Sequence, residues 1–549
     1  MKKLVKMTLA LFAFTALAGA FQGCIRRPGD DTLIDPNKTQ VYVSVFNGGF
    51  GKDWLDELAK RFNNKEENQA TQLIVMGNKD TFGAIRSSIE GGVSQADIFF
   101  TTDAGVLSLG IPGHSDNGES KYLEDLSDVW DMKVDGTDVS IRGKMKVPEL
   151  FLNAYGYQDK IYGVPWTEGL QGFIYDHDFF IEEGFLIKSG GSLTVGKDGK
   201  AGTYDDGLPV NMAEWNEMLG NIVRAGYYPF SWAGGATDYL ISLGETVFAQ
   251  YEGLDNYAVA NTFKGTYENP VTGDKTVITP AEGYKTYELM EGRKLAAQFV
   301  RDNLVSNDSY FTPNSKKVST TFKNAQDLFI TGYKNASSNP RAGMIYEGIW
   351  WENESRATFM ADKTAGMGYG QRDFRLMPLP AFTNQKGANG DGTGSVIGVS
   401  ENGTVIVKKL SDPVKRKAAK DFVAFTCSDE ALRLFTTATG TPRPYEYSLS
   451  DAEYNSLSKF CKNVWTLYTD DNIKLARYQL ALASSPMFTM ASPPASRWQS
   501  KPNSKFYNFL YDAMNDGVTP DAYFTGLQEY MNESKWETSY DMVKSYYEG

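Results

Sequence analysis

From residue 40 onward, short apolar runs alternate with amphipathic segments. Gln40–Phe46, Gln72–Met76 and Ala96–Phe100 are rich in β-branched and aromatic residues and predict strands. Apolar residues at helical spacing between Trp54 and Phe62, and again from about Asp80 to Ile89, predict the helices between them. Strands that alternate with helices at this spacing predict a mostly parallel α/β sheet.

The alternation is interrupted further along the chain. Residues 131–150 and 187–211 are rich in Gly, Asp and Lys and predict surface insertions. Helical patterns dominate residues 213–360. The later signals are a short strand at Asp373–Pro380, a glycine-rich loop at Gly387–Gly403, a strand at Thr404–Val407, and two helices, one from Pro413 to about Cys427 and one beginning at Ser428.

The first 23 residues have the form of a secretory signal peptide. Lys2, Lys3 and Lys6 precede an apolar stretch, Met7–Ala20, that is too short to span a membrane. Cys24 then opens a polar segment, as in bacterial lipoprotein signals, in which this cysteine becomes the lipidated first residue. Cleavage after Ala20 is the alternative, and in either case we expect an exported chain with a tether over residues 24–39.

Composition narrows the classes of function. The 549 residues carry 55 Lys and Arg against 68 Asp and Glu, a formal charge of −13, which disfavours nucleic acid as a partner. Two histidines and three cysteines leave few components for histidine-based metal sites or Ser-His and Cys-His catalysis. We therefore predict no metal, cofactor or catalytic residue.

A series of motifs resembles family 1 extracellular solute-binding proteins, the maltose-binding-protein-like receptors of ABC importers. The resemblance extends over most of the chain beyond the signal segment, and it depends on the order and spacing of motifs that are individually weak. These motifs are Ala96–Asp103, Ile161–Trp166, Phe173–Asp176, Phe179–Gly184, Ala342–Ile345 with Gly348 and Trp350, Leu376–Pro380, Lys417–Phe422 and Thr439–Pro442.

The resemblance implies an α/β, two-lobed periplasmic-binding-protein-like (type II) fold with hinge crossovers and a ligand enclosed between the lobes. Lobe I is expected to comprise residues 40–150 and 381–440, and lobe II residues 151–380 and 441–549. Ligands of open α/β sheets bind beyond the carboxyl ends of strands, which is where Asn47, Asp103 and Trp166 fall on the predicted strands.

A sugar site requires aromatic platforms for the C–H faces of the sugar and polar side chains for its hydroxyl groups. Trp166 and Trp350 lie in the resembling motifs, and Trp232 and Trp498 lie in segments rich in turn residues. Core packing is the alternative for each tryptophan, and a helix cap is the alternative for Asp103. The predicted ligand-binding residues are Asn47, Asp103, Trp166, Trp232, Trp350 and Trp498.

Two other features have open interpretations. Cys427 and Cys461 lie on apolar helical patterns and form either a disulfide in an exported protein or two buried thiols. The Asp198–Gly207 loop is either a calcium-binding turn or a solvated hairpin, and it lacks the regular acidic spacing of an EF-hand loop.

Together these features predict a monomeric, lipid-anchored receptor on the extracellular or periplasmic face of the cell membrane. The resemblance implies that it binds a sugar, most simply an oligosaccharide, and passes it to the transmembrane subunits of an ABC permease. A secreted glycoside hydrolase, which would use an equally aromatic cleft, and a glycan-capture adhesin that needs no permease are the alternatives.

Overall fold

The structure, a computed structural model, describes residues 34–110, 119–305, 308–332, 340–362, 366–491 and 519–548. The signal segment 1–23, Cys24 and Trp498 lie outside the described residues. The strands are β1 Thr39–Phe46, β2 Thr71–Asn78, β3 Ile98–Thr101, β4 Gly156–Tyr157, β5 Lys160–Ile161, β6 Val164–Asp176, β7 Lys188–Ser189, β8 Ser192–Leu193, β9 Tyr228–Ser231, β10 Gly265–Glu268, β11 Lys275–Ile278, β12 Ala342–Gly348, β13 Phe374–Met377, β14 Ser395–Val407 and β15 Ile473–Ala476.

The helices alternate with the strands along much of the chain. In chain order they are α1 Asp53–Asn63, α2 Phe82–Glu90, α3 Leu107–Gly110, α4 Ser127–Asp131, α5 Ile141–Lys144, α6 Pro148–Tyr155, α7 His177–Glu183, α8 Met212–Arg224, α9 Thr237–Glu252, α10 Leu254–Thr262, α11 Lys285–Leu289, α12 Gly292–Val300, α13 Phe322–Thr331, α14 Trp351–Glu354, α15 Arg356–Ala361, α16 Pro413–Phe425, α17 Asp429–Thr439, α18 Asp451–Ser456, α19 Lys459–Thr469, α20 Tyr478–Ala483, α21 Pro520–Tyr530, α22 Glu533–Asp541 and α23 Lys544–Glu548.

Nine strands form one sheet. Its main path has the order β2-β1-β3-β14-β6-β12-β9, and β13 and β15 pair with β6 and β14. The first three strands are parallel, as their spacing with α1 and α2 predicts. The predicted starts of helices α16 and α17 are also confirmed. The side chains of Asp412 and Ser428 accept backbone hydrogen bonds at the N-termini of these helices.

Two long antiparallel strands, β6 and β14, connect the two halves of the sheet. At one end Thr404–Val407 pairs with β3, and at the other end Phe173–Tyr175 pairs with both β12 and β13. The pairing of β6 with β14 is irregular between Val399 and Thr404. This irregular stretch is the hinge, because it separates the part of each strand in one lobe from the part in the other.

The hydrophobic cores place the lobe boundaries at this hinge. One core draws its buried side chains mainly from residues 41–166 and 405–445. The other cores draw theirs from residues 170–399 and 457–543. The segments 151–166 and 441–445 therefore pack in lobe I, and 381–399 in lobe II, opposite to the expected assignment of these segments.

Two of the predicted loop segments differ in the structure. Residues 131–150 are not a surface insertion, because Val134, Ile141 and Met145 are buried in the lobe I core. The predicted loop at Gly387–Gly403 ends at residue 394, and β14 occupies the rest. Gly398 and Gly403 lie within this strand where a Cβ atom would overlap Thr246 and Trp166, so they allow close packing rather than a turn.

The two cysteines within the described residues are buried free thiols in different lobes. Cys427 lies against the Tyr445 hydroxyl group, with 3.4 Å between Sγ and the oxygen. Cys461 lies beside Glu352, with 3.5 Å between Sγ and Oε2. A disulfide between them is therefore absent from this structure.

Candidate functional site

A cavity of about 790 Å³ lies between the lobes, within the size range of small-molecule sites. Lobe I contributes the ends of β1 and β3 and the start of α2, and lobe II contributes α9. Helix α20 also lines the cavity, and the hinge strands β6 and β14 contribute three residues. The lining residues are Phe46, Asp80, Thr81, Phe82, Thr102, Asp103, Ala104, Gly105, Gln171, Asp238, Tyr239, Ile241, Glu245, Trp350, Ser400, Glu401, Tyr478, Gln479, Leu482, Ala483 and Phe488. We call this the interlobe cavity.

Trp350 forms part of the cavity wall at the hinge. Its ring packs edge-on against Phe50 of lobe I, with 6.0 Å between ring centroids. The ring packs closely against three glycines. A Cβ atom would lie 2.6 Å from the ring if added to Gly49 and 2.5 Å from it if added to Gly169, and a Cβ atom on Gly348 would overlap the ring. Trp350 is 7% exposed and therefore has a fixed orientation with a small surface left for contact.

The close approach of Gly348 to Trp350 gives the first prediction. We expect Gly348→Ala to displace the indole ring and to lower the free energy of unfolding by about 1–3 kcal/mol, the usual cost of overpacking. Urea titration measures the stability, and the tryptophan emission maximum reports the displacement.

Gly83→Ala is the matched control, because an added Cβ atom there meets only Thr81 Oγ1 at 3.9 Å. Equal stability of the two variants, with unchanged emission, would show that Trp350 is not held by this contact.

Gln171 supplies an unsatisfied amide to the same cavity. The residue lies on β6, where the strand passes from one lobe to the other, and it is 1% exposed. Neither Oε1 nor Nε2 has a hydrogen-bond partner among the described residues. A buried amide without partners is costly, so the side chain is suited to bind a ligand that both donates and accepts hydrogen bonds.

Asp103 follows β3 at the lobe I wall. Its Oδ1 atom accepts a hydrogen bond from the Gly105 amide at 2.6 Å. The surrounding protein desolvates the side chain, which raises the pKa of the carboxyl group. Asp103 therefore acts as a local turn cap and also lines the cavity, and its role as a ligand contact stays a prediction.

A buried acidic network lies on the lobe II side of the hinge. The Tyr239 hydroxyl group donates to Glu347 Oε1, and Gln326 Nε2 donates to Glu347 Oε2 at 3.2 Å. Burial raises the pKa of Glu347 to about 8. Glu401 on β14 has a pKa raised to about 8, first by burial and then by repulsion from Glu354 and Glu347.

This network predicts a pH-dependent stability. Between about pH 4.5 and pH 8 Glu401 ionises in the unfolded chain but stays protonated in the folded protein, so its contribution to folding stability falls as the pH rises. Glu401→Gln, which cannot ionise, should stabilise the protein at pH 8 by about 1–2 kcal/mol and have little effect near pH 4.

Urea titrations of both proteins across this range measure the difference. Glu67→Gln, a change at an exposed residue of lobe I, is the control. A stability difference that stays constant from pH 4 to pH 8 would contradict the raised pKa of Glu401.

The predicted tryptophans differ in their placement. Trp350 and Asp103 line the cavity. Trp166 is fully buried in the lobe I core, stacked on Trp54 at 5.4 Å, and its indole N–H donates to the Thr101 carbonyl oxygen at 2.6 Å. Trp232 is buried in lobe II and packs against Tyr346 at 5.7 Å. Core packing, the alternative for each tryptophan, therefore describes Trp166 and Trp232, neither of which is part of the lining.

Asn47 and Trp498 complete the predicted set. Asn47 is exposed directly after β1, next to the lining residue Phe46, but it is not itself part of the lining. Trp498 lies outside the described residues, so its predicted role stays a prediction.

The sequence reasoning missed Gln171, Tyr239 and Glu401. Gln171 and Glu401 had a signal, because each is a polar residue within a long, otherwise mostly buried strand. Tyr239 had none, since a tyrosine in the first turns of an apolar helix is common in cores.

A buried ion pair stabilises the hinge beside the cavity. Glu168, on β6, is fully buried, and Arg477 binds it through Nε and through Nη2, the latter at 3.1 Å from Oε2. The Tyr468 hydroxyl group donates to Oε2 at 3.0 Å, and Asn402 Nδ2 reaches Oε1 at 3.4 Å. This network joins both hinge strands to the segment after β15.

The Asp198–Gly207 loop uses its carboxylates internally. Asp205 Oδ2 accepts from the Lys197 and Asp198 amides at 2.7 and 3.0 Å, and Asp206 Oδ2 accepts from Gly202 at 2.7 Å. Within the described ranges, no group of three or more His, Cys, Asp or Glu side chains has an arrangement that could hold a metal ion. The described loop consists of turns and bends without paired strands, so both interpretations of it stay predictions.

The fold and the interlobe cavity are those of a two-lobed solute-binding protein. The family model of the bacterial extracellular solute-binding proteins matches residues 57–460, most of the chain, and the protein belongs to this family. Among the helices that the structure describes, none is both long and apolar enough to cross a membrane. No curated protein matches the sequence.

Solved structures share the fold at low sequence identity. RafE from Streptococcus pneumoniae is 15% identical, with 92% of this chain and 100% of that chain covered and a TM-score of 0.55. A protein of xylan utilization from Caldanaerobius polysaccharolyticus is 15% identical, with 90% and 100% covered and a TM-score of 0.55. A sugar transporter protein from Bacillus licheniformis in complex with stachyose is 14% identical, with 90% and 100% covered and a TM-score of 0.50.

Proposed function

We propose that this protein is the carbohydrate receptor of an ABC importer and binds an oligosaccharide in the interlobe cavity. The observation that carries the proposal is the pairing of a fixed indole ring, Trp350, with the unsatisfied amide of Gln171 on one cavity wall. A sugar ring offers an apolar face to an aromatic side chain and a rim of hydroxyl groups that both donate and accept hydrogen bonds.

Membership of an extracellular solute-binding family supports an exported receptor. Similar solved structures hold raffinose, stachyose and maltose as bound ligands. Delivery to permease subunits and lipidation at Cys24 are parts of the same proposal, since a receptor attached to the membrane stays close to its transporter.

The hinge supports a mechanism of closure around the ligand. β6 and β14 are the continuous strands between the lobes, and their pairing is irregular at residues 399–404. A sugar that contacts lobe I through Asp103 and lobe II through α9 stabilises the closed arrangement over the open one, because only the closed form makes both sets of contacts.

Calorimetric titration with a panel of neutral oligosaccharides, with product analysis of the same samples, tests the proposal. The panel contains raffinose, stachyose, maltotriose, cellotriose and xylotriose. We expect saturable one-to-one binding of at least one sugar and recovery of that sugar intact. Sugar cleaved over time would instead make the protein a glycoside hydrolase, with two carboxyl groups as acid and nucleophile or base.

A further inference from the structure

The titratable charged residues that line the interlobe cavity are all acidic. Its described lining contains five carboxyl groups and no lysine, arginine or histidine. These carboxyl groups belong to Asp80, Asp103, Asp238, Glu245 and Glu401. They come from both lobes and from the hinge, so they surround the cavity instead of forming one acidic patch.

Most of these carboxyl groups also lack a protein cation. Asp80, Asp103 and Asp238, which are exposed, and the half-buried Glu401 form no ion pair with any lysine or arginine of the described residues, whereas fully buried acids such as Asp97 and Glu168 do. Asp97, for example, lies 2.7 Å from Lys415, and Glu168 is bound by Arg477. Negative charge confined to a cleft with protein walls produces a strong local potential for cations.

Two lysines near the hinge do not pair with the acidic residues of the cavity lining. Lys79 and Lys323 act on Glu354, which is not in the lining. Burial raises the pKa of both Asp103 and Glu401, which favours their protonated form in the empty cavity, and a bound ammonium group would favour the ionised form. The cavity walls therefore favour a positively charged ligand group, since an ammonium group makes charge-assisted hydrogen bonds to carboxylates.

Gln171 shows independently that the same cavity is built for a polar ligand. Its amide is buried, has no partner among the described residues and lies in the cavity wall. A neutral hydroxyl-bearing part of the ligand satisfies this amide, and a cationic part lies among the carboxyl groups.

We propose that the interlobe cavity selects carbohydrates that carry a protonated amine and excludes sugars that carry carboxylate, phosphate or sulfate groups. The proposal rests on the carbohydrate-receptor function and defines its substrate class. A neutral sugar satisfies Gln171 and Trp350 but leaves the acidic walls without a counter-charge. An anionic sugar adds repulsion to those carboxyl groups of the cavity that are ionised.

Calorimetry with three trisaccharides of the same ring and linkage tests the selection. They are the β-1,4 trimers of glucosamine, of glucose and of N-acetylglucosamine, which differ only at C2, and a trimer of galacturonic acid serves as the anionic probe. At low salt and about pH 6, where the amines are protonated, we expect glucosamine trimer to bind at least about ten-fold more tightly than the other two. This advantage should shrink as salt is added, and galacturonate should not bind.

Paired variants assign the effect to the cavity. Asp80→Asn with Asp103→Asn should reduce the glucosamine advantage several-fold. Glu66→Gln with Glu67→Gln removes the same charge from the exposed surface of lobe I and should preserve the advantage.

The outcomes separate this inference from the receptor function. If any neutral oligosaccharide of the wider panel binds as tightly as glucosamine trimer, or if galacturonate binds, the amine selection is overturned and the receptor remains. If no carbohydrate binds, neutral or amine-bearing, the receptor function itself is contradicted.

Discussion

Replacing Trp350 by alanine is expected to weaken carbohydrate binding by at least about 2 kcal/mol, or some 30-fold in Kd. The substitution removes the aromatic face from the cavity wall. It also leaves a gap beside Gly49, Gly169 and Gly348, so the packing of these three segments at the hinge becomes looser. Calorimetric titration with the sugar that binds wild-type protein most tightly measures the loss.

Trp465→Ala is the control, because Trp465 packs against a lobe II core and on Tyr447 of lobe I and is not part of the cavity lining. Urea titration of both variants separates lost binding from lost folding. If a folded Trp350→Ala variant binds sugar as tightly as wild type, Trp350 is not a ligand contact and the assignment of the cavity wall is wrong.

The second large effect is expected at the hinge ion pair. Arg477→Met leaves the carboxylate of Glu168 buried without its cation, and this should lower the free energy of unfolding by about 3–5 kcal/mol. Urea titration at neutral pH measures the change.

Two further variants define the cause. Lys417→Met, which breaks the exposed pair with Asp421, should cost less than about 1 kcal/mol. Glu168→Leu combined with Arg477→Met should recover part of the stability, because it removes the unpaired charge. A double variant as unstable as Arg477→Met alone would show that packing, not the buried charge, causes the loss.

The elements that were predicted well carry strong local signals. β1, β2 and β3 are apolar and β-branched, and they are separated by helices of clear amphipathic period. The helix starts at Asp412 and Ser428 follow from capping chemistry that acts within a few residues. Such features depend little on the rest of the chain.

The lobe boundaries depend on long-range pairing and were not predictable from the pattern. β6 is nearly continuous buried strand from Val164 to Asp176, and nothing in its composition marks where it leaves lobe I. The glycines of β14 have the composition of a loop, yet they serve close packing against α9 and Trp166.

The same limit applies to the tryptophans. Trp166 and Trp350 both lie in segments that match the family motifs and both pack in the lobe I core, but only Trp350 also lines the cavity. The side of the sheet on which each ring lies depends on the strand register across the hinge, which is a tertiary property.

A crystal structure of the protein with its tightest-binding oligosaccharide tests the central claim most directly. The account predicts a sugar ring in the interlobe cavity against Trp350, with hydroxyl groups bonded to the Gln171 amide and with contacts to both Asp103 and α9. A sugar bound elsewhere, or bound in this cavity with Gln171 still unpartnered, would contradict the assignment of the site.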